Sequence, residues 1–120
     1  MADPVFEITK AATFDAAHSL DAGPDGYRRL HGHSFEVEAT VRGPASGPGW
    51  VADLGELDQA LKAAAAELDH GLLNDKPGLE SPTLERLCLW FADRLTPDFP
   101  GLSRVVVGRP TIKERCALEL

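Results

Sequence analysis

Two histidines separated by one residue, His31 and His33, begin the most regular apolar and polar alternation in this chain. Side chains two apart on a β-strand project to the same face, so the two imidazoles converge. A third histidine, His18, is close enough in sequence to return beside them across a hairpin. Catalytic zinc sites typically use three protein ligands and leave a fourth position open. The trio therefore predicts a metal site, with structural zinc and chance proximity as the alternatives.

A second pair of chemically active residues, Asp69 and His70, follows a helical pattern. A carboxylate beside an imidazole can orient the ring, fix its tautomer and raise its basicity, which suits proton transfer. The alternative is a solvated helix end, where the helix dipole stabilises a cationic histidine.

Four segments have the alternation of β-strands, namely residues 5–13, 35–41, 103–108 and 111–118. In the second segment the apolar side chains from Phe35 to Val41 share one face, and the two histidines ahead of it have the same parity. We therefore expect these histidines to continue the inward-facing row. The glycines and prolines of residues 42–49 are expected to break this strand.

Two helices are predicted between the second and third strands. Asp53, with Glu56 three residues later, resembles a capping box, and an apolar stripe continues to Leu68 before Gly71, where we expect the helix to terminate.

The second helix is predicted to have Ser81 as its N-cap and Pro82 at its first position, and to end before Pro97. The order strand, strand, helix, helix, strand, strand predicts an α+β fold. It would be a four-stranded antiparallel sheet with both helices on one face.

Bulk composition fits one soluble domain over residues 1–120, with 43% hydrophobic and 26% charged residues. No segment resembles a membrane span or a signal peptide, so a cytoplasmic protein is expected. The net charge of −7 argues against binding nucleic acid or an anionic membrane. Cys88 and Cys116 form no CxxC pair and are interpreted as small buried hydrophobes.

Five motifs in order resemble the 6-pyruvoyltetrahydropterin synthase / 6-carboxytetrahydropterin synthase family, over about Phe6 to Val107. They are Phe14-x-Ala16-Ala17-His18, Leu30-His31-Gly32-His33-Ser34-Phe35, Gly49-Trp50-Val51-x-Asp53, Leu68-Asp69-His70-x-x-Leu73-Asn74 and Ser81-Pro82-Thr83-x-Glu85. The resemblance implies the tunnelling fold (T-fold), in which barrel-like trimers stack into a homohexamer with active sites between subunits. It also implies zinc on His18, His31 and His33, and a proton relay formed by Asp69 and His70.

The reaction that the resemblance implies starts from 7,8-dihydroneopterin triphosphate. The chain's small size and the forms of its last two motifs resemble the bacterial 7-deazapurine (queuosine) branch. That branch gives 6-carboxy-5,6,7,8-tetrahydropterin and releases triphosphate and acetaldehyde. Thr83, in the last motif, is a candidate substrate contact.

One departure from the family concerns its proton-abstracting cysteine, which lies four residues before the first histidine of the His-Gly-His motif. This chain has Tyr27 there. A phenol near a metal can act as acid or base, although at neutral pH it is a poorer base than a thiolate. The alternative is that Tyr27 packs at the mouth of the pocket.

The second departure concerns the family glutamate that pairs with the amino-pyrimidinone edge of the pterin. A gapless alignment places Arg109 there, whereas a shift of five residues places Glu114. A guanidinium cannot accept the pterin's N–H donors and a carboxylate can, which favours Glu114. Arg28 and Arg29, with Lys113 and Arg115, suit a phosphate or simply balance surface charge.

The leading hypothesis is therefore a zinc-dependent 6-carboxytetrahydropterin synthase-like lyase. One alternative is a diverged paralogue that cleaves the side chain differently or uses a non-pterin substrate. Another is a non-catalytic zinc-binding oligomer.

Overall fold

The computed structural model describes residues 3–120, in which four strands form one antiparallel sheet in the order β1-β2-β3-β4. The strands are β1 (Val5–His18), β2 (His31–Pro44), β3 (Leu102–Arg109) and β4 (Glu114–Glu119). Two long helices, α2 (Leu54–Leu68) and α3 (Leu84–Leu95), lie between β2 and β3 in sequence. A one-turn helix, α1 (Asp25–Arg28), joins β1 to β2, and 3₁₀ turns occupy Leu73–Asp75 and Pro110–Ile112. The predicted α+β architecture is confirmed.

The hydrophobic core lies between one face of the sheet and the two long helices. Side chains of the inward row of β2, from Phe35 to Val41, are buried against α2 and α3, as the alternation predicts. Each fully buried side chain of this size contributes about 1.5–3 kcal/mol relative to an exposed one. The other core members include Phe14, Leu57, Leu61, Leu68, Leu87, Phe91, Leu95, Val105 and Val107.

The first two strands are longer than their local patterns predict. They pair without interruption from Val5↔Pro44 to His18↔His31. The second strand does end within residues 42–49, as predicted, but at Pro44 rather than after Val41, because its pairing with β1 continues through Gly43 and Pro44. This long hairpin brings His18 to the same end of the sheet as His31.

Three predicted boundaries are wrong, each for a local reason. Thr83, not Ser81, is the N-cap of α3, because the Thr83 hydroxyl accepts a hydrogen bond from the backbone N–H of Arg86 at 3.2 Å. The last strand begins at Glu114 rather than residue 111, because Pro110 lacks an N–H and starts a 3₁₀ turn.

The third boundary is the end of α2, which we expected at Gly71. The helix stops at Leu68 and its C-cap is Asp69. His70, rather than the glycine, takes the left-handed conformation, at φ 57°. The chain leaves the helix early because residues 70–72 hydrogen-bond along β1 instead.

Both cysteines are free thiols, and the buried Cys88 donates a hydrogen bond to the backbone carbonyl of Cys116. Within residues 3–120, no helix has the length and apolar character needed to cross a membrane.

Candidate metal centre and active site

Three histidines meet at the end of the β1–β2 hairpin. The strand register pairs His18 with His31 and Ala16 with His33, so all three imidazoles lie on the inward face. Their ligating nitrogens lie within 4.8 Å of one another. His18 is buried and the other two are half-buried, so the cluster stays open on one side.

Backbone carbonyls fix the orientation of two of these rings. The Nδ1 of His18 lies 3.1 Å from the Pro82 carbonyl, and that of His31 lies 2.6 Å from the Arg29 carbonyl. A carbonyl can only accept a hydrogen bond, so each Nδ1 donates and each Nε2 presents a lone pair. Metal-ligating histidines usually have this type of orienting hydrogen bond.

The two Nε2 atoms of His18 and His31 face each other at 3.0 Å. Two facing lone pairs repel unless a cation lies beside both. Nitrogens bound tetrahedrally at 2.0–2.1 Å from zinc would be roughly 3.3 Å apart, close to the distance found here. The donor set therefore fits a metal ion held by His18, His31 and His33.

The protonation of the cluster also suits a metal. Burial lowers the pKa of His18 to about 4, and burial followed by the Arg109 charge lowers the pKa of His33. His18 is therefore neutral at pH 7, which is the form that coordinates metals.

Beside the trio, Phe35 forms the floor of the same face. Its ring centroid lies 5.6 Å from that of His33 and 6.0 Å from that of His18. The Arg109 guanidinium lies 5.6 Å from the centroid of the Phe35 ring. Arg109 and Glu114 are cross-strand partners, and Nη1 of Arg109 donates to Glu114 Oε1 at 2.6 Å. The structure thus brings both sequence candidates for the ring-binding position together as one ion pair beside Phe35.

The Asp69–His70 pair is formed, and it lies on the outer edge of β1. Asp69 Oδ2 accepts a hydrogen bond from His70 Nδ1 at 2.8 Å. The backbone N–H of Asp15 donates to Asp69 Oδ1, and the N–H of His70 donates to the Asp15 carbonyl. His70 is 81% exposed and, with His33, lines an open groove.

Electrostatics in this pair follow from its hydrogen bonds. The hydrogen bond to Asp69 raises the pKa of His70. The pKa of Asp69 is lowered, first by the backbone N–H of Asp15 and then by His70. The pair is therefore an oriented imidazole with increased basicity.

Tyr27 and Arg28 lie on the one-turn helix α1, between the two strands that carry the histidines. Tyr27 is 54% exposed, and its ring packs on Gly23, where an added Cβ would come within 2.6 Å of it. Arg28 donates from Nε to the Gly23 carbonyl. Both of these contacts to Gly23 lie within the connection from β1 to β2.

The site contains residues that the sequence reasoning missed. Pro82 and Arg29 act through backbone carbonyls, which no residue-type pattern reveals. Asn74 hydrogen-bonds both backbone groups of Ser19 and thereby holds the segment after His18. Its presence at the end of the Asp69-His70 motif was the available signal.

Comparison with known proteins agrees with this geometry. Residues 7–119 match the model of a family described as 6-pyruvoyl tetrahydropterin synthase. The chain belongs to this family. The predicted family, its T-fold and a lyase-type enzyme are thereby confirmed, and the family's pterin-processing role fits a small-molecule pterin substrate.

Two curated relatives are named for different enzyme activities. One is 6-carboxy-5,6,7,8-tetrahydropterin synthase of Synechocystis sp., 40% identical over 107 residues and 83% of each chain. The other is dihydroneopterin monophosphate aldolase of Pyrococcus furiosus, 36% identical over 94 residues and 78% of each chain.

Solved structures share the fold. The Caenorhabditis elegans 6-pyruvoyl tetrahydropterin synthase superposes with a TM-score of 0.83 at 19% identity, over 100% of this chain and 99% of that one. The Plasmodium vivax 6-pyruvoyl tetrahydropterin synthase superposes with a TM-score of 0.77 at 18% identity, over 98% of this chain and 99% of that one.

Proposed function

We propose that this chain is a zinc-dependent lyase that converts 7,8-dihydroneopterin triphosphate to 6-carboxy-5,6,7,8-tetrahydropterin, releasing triphosphate and acetaldehyde, in the queuosine pathway. The observation that carries the proposal is the histidine trio, whose two oriented Nε2 atoms face each other at 3.0 Å within a pterin-processing family. The Synechocystis relative carries this activity's name.

Metal chemistry has one part in the proposal: zinc bound by the trio would polarise the side-chain hydroxyls and acidify the neighbouring C–H. Proton transfer is assigned to His70, with Asp69 fixing its tautomer and supplying basicity. Because His70 lies on the outer edge of β1, we assign it to the trio of a neighbouring subunit in a homohexamer. Tyr27, on the connection between the ligand strands, is the second acid–base candidate.

Substrate recognition is assigned to the groups around the trio. Glu114, whose side chain is 45% exposed, accepts hydrogen bonds from the pterin N–H groups. Arg28 is assigned to the phosphates. Thr83 is assigned to a ligand contact, and this assignment is supported by its position next to Pro82, whose carbonyl holds His18.

A second candidate activity is favoured by Tyr27 and by the Pyrococcus furiosus relative. A retro-aldol cleavage of dihydroneopterin monophosphate breaks the bond between the first two side-chain carbons. A base takes the hydroxyl proton from the second carbon, and the first carbon, left with the electron pair, is protonated. The phosphate stays on the small aldehyde fragment. This route eliminates no phosphate, so it needs fewer proton transfers and suits a site without a thiolate.

The deciding experiment supplies the zinc-loaded protein with dihydroneopterin triphosphate and, separately, its monophosphate. Triphosphate, acetaldehyde and a carboxylated tetrahydropterin from the first substrate support the synthase. Glycolaldehyde phosphate and a hydroxymethyl dihydropterin from the second support the aldolase. Absence of turnover on both, with stoichiometric zinc, would refute the lyase proposal for this substrate class. An Asp69→Asn variant keeps the histidine trio and disrupts the Asp69–His70 relay. Its turnover measures how much activity bound zinc gives without the relay.

A further inference from the structure

Arg109 has an environment that its ion pair with Glu114 does not explain. Its side chain is only 13% exposed, and its Nε is buried without a hydrogen-bond partner in the described residues. A buried donor without an acceptor costs about 1–3 kcal/mol. Structural arginines normally satisfy their donors, so an arginine with an unsatisfied N–H beside a candidate site indicates a function.

The position of Arg109 is unfavourable without a ligand for a second reason. Its guanidinium lies 5.6 Å from the centroid of the Phe35 ring, which is itself 5.6 Å from the centroid of the His33 ring, so its positive charge opposes a further cation at the histidines. Glu114 offsets this charge, although within residues 3–120 it accepts one hydrogen bond from Arg109, at Nη1. An arginine has five N–H donors, and most of this fork is left for another acceptor.

The arrangement also presents a donor and an acceptor side by side. Arg109 and Glu114 face each other across β3 and β4, and the Arg109 guanidinium and the His33 ring each lie 5.6 Å from the centroid of Phe35. The amino-pyrimidinone edge of a pterin has two N–H donors next to one carbonyl acceptor. The carboxylate matches the donors and the guanidinium matches the carbonyl.

We propose that Arg109 is a specificity-determining residue that donates to the ring carbonyl of the substrate while Glu114 accepts from the adjacent N–H groups. This inference rests on the proposed pterin substrate. It goes beyond that proposal by naming Arg109 as the residue that favours a ring with a carbonyl over one with an amino group at the same position. The two sequence alternatives for this position, Arg109 and Glu114, are then two halves of one recognition unit. A ring with an amino group in place of the carbonyl would present a donor to a donor and bind less well.

The test compares pterin with 2,4-diaminopteridine, neither of which carries a phosphate. The diamino ring has an amino group in place of the carbonyl, and its adjacent ring nitrogen loses the hydrogen that would face Glu114. Glu114 is present in every variant compared, so a change in the ratio of affinities on replacing Arg109 reports the contact to the carbonyl position. Dissociation constants are measured by calorimetry for the zinc-loaded full-length protein and for Arg109→Met. The matched control is Arg104→Met, because Arg104 is an exposed arginine on the same strand whose side chain has the opposite parity. Zinc content and thermal unfolding of each variant establish that the fold and the metal site persist.

We expect the ratio of the two dissociation constants, diaminopteridine over pterin, to fall at least tenfold in Arg109→Met and to change less than twofold in Arg104→Met. A conservative Arg109→Lys variant should keep part of the preference, since it keeps a donor.

An unchanged ratio with both ligands weakened equally would overturn the inference, because Arg109 would then only hold Glu114 in place. An unchanged affinity for pterin would also overturn it. In both cases wild-type binding of pterin leaves the proposed function standing. Failure of the wild-type protein to bind either ring would refute the pterin substrate class and the inference with it.

Discussion

Replacing His31 with alanine should separate metal binding from ordinary packing. His31 is half-buried; it is hydrogen-bonded to the Arg29 carbonyl, its Nε2 faces that of His18, and its ring packs edge-on against His33. Loss of one hydrogen bond costs about 1 kcal/mol. In a chelator, His31→Ala should therefore be only slightly less stable than the wild-type protein.

Zinc should make this difference much larger. At a free zinc concentration about 1,000 times the dissociation constant, binding to the folded state adds about 4.1 kcal/mol. For a domain of this size, about 1 kcal/mol corresponds to a shift of roughly 3–5 °C in Tm, so zinc should raise the wild-type Tm by about 12–20 °C. The variant, with two ligands left, should lose most of this shift and its stoichiometric zinc.

The assay combines elemental analysis of the purified protein with thermal unfolding in zinc and in chelator. His70→Ala is the matched control, since it removes the fourth histidine, which lies outside the trio. Full zinc retention by His31→Ala would refute the ligand assignment. Equal zinc loss in His70→Ala would show that the trio alone does not define the site.

Three further results are expected. Because Asp69 raises the pKa of His70, Asp69→Asn should lower the pKa of His70 in an NMR titration. The stabilisation that the pair gives the folded protein is complete below about pH 6.5, the ordinary histidine pKa. It is lost as the pH rises through the raised pKa of His70. Thr83→Ala should cost about 1 kcal/mol in urea unfolding and Ser81→Ala less than about 0.5, because Thr83 is the N-cap. Tyr27→Phe should slow turnover at least tenfold, about 1.4 kcal/mol, if the phenol transfers a proton.

Each of these results has a clear contrary outcome. An unchanged His70 titration would mean that the Asp69 hydrogen bond does not persist in solution. Equal costs at Thr83 and Ser81 would contradict the assigned cap. An unchanged rate in Tyr27→Phe would assign Tyr27 to packing on Gly23 alone.

Much of the fold follows from sequence, because its signals are local. The parity of Phe35 and Val37 placed His31 and His33 on the inward face, and the apolar stripes located both long helices. Element ends were less predictable, because they depend on partners far away in sequence. The extension of β1 to His18 requires β2 opposite it, and α2 ends early because residues 70–72 bind the edge of β1.

The candidate site also contains residues that the sequence identifies and contacts that only the fold reveals. Residue types and spacing identified the three histidines and the Asp69–His70 pair. They left Arg109 and Glu114 as competing choices, whereas the register of β3 and β4 makes them partners. The carbonyls of Pro82 and Arg29 were beyond prediction, since a backbone oxygen carries no residue-type signal.

The hydrogen bonds that join residues 69–72 to β1 also limit which length changes the chain can tolerate. An extra residue between Asp15 and Ala17 would turn His18 to the outer face and move Ala17 away from its hydrogen bond to the Gly71 carbonyl. The connection from Ser19 to Leu30 lies outside the paired strands, so insertions there leave the register intact. Among homologues, we therefore expect insertions and deletions to be concentrated at the hairpin tip and absent from the last four residues of β1.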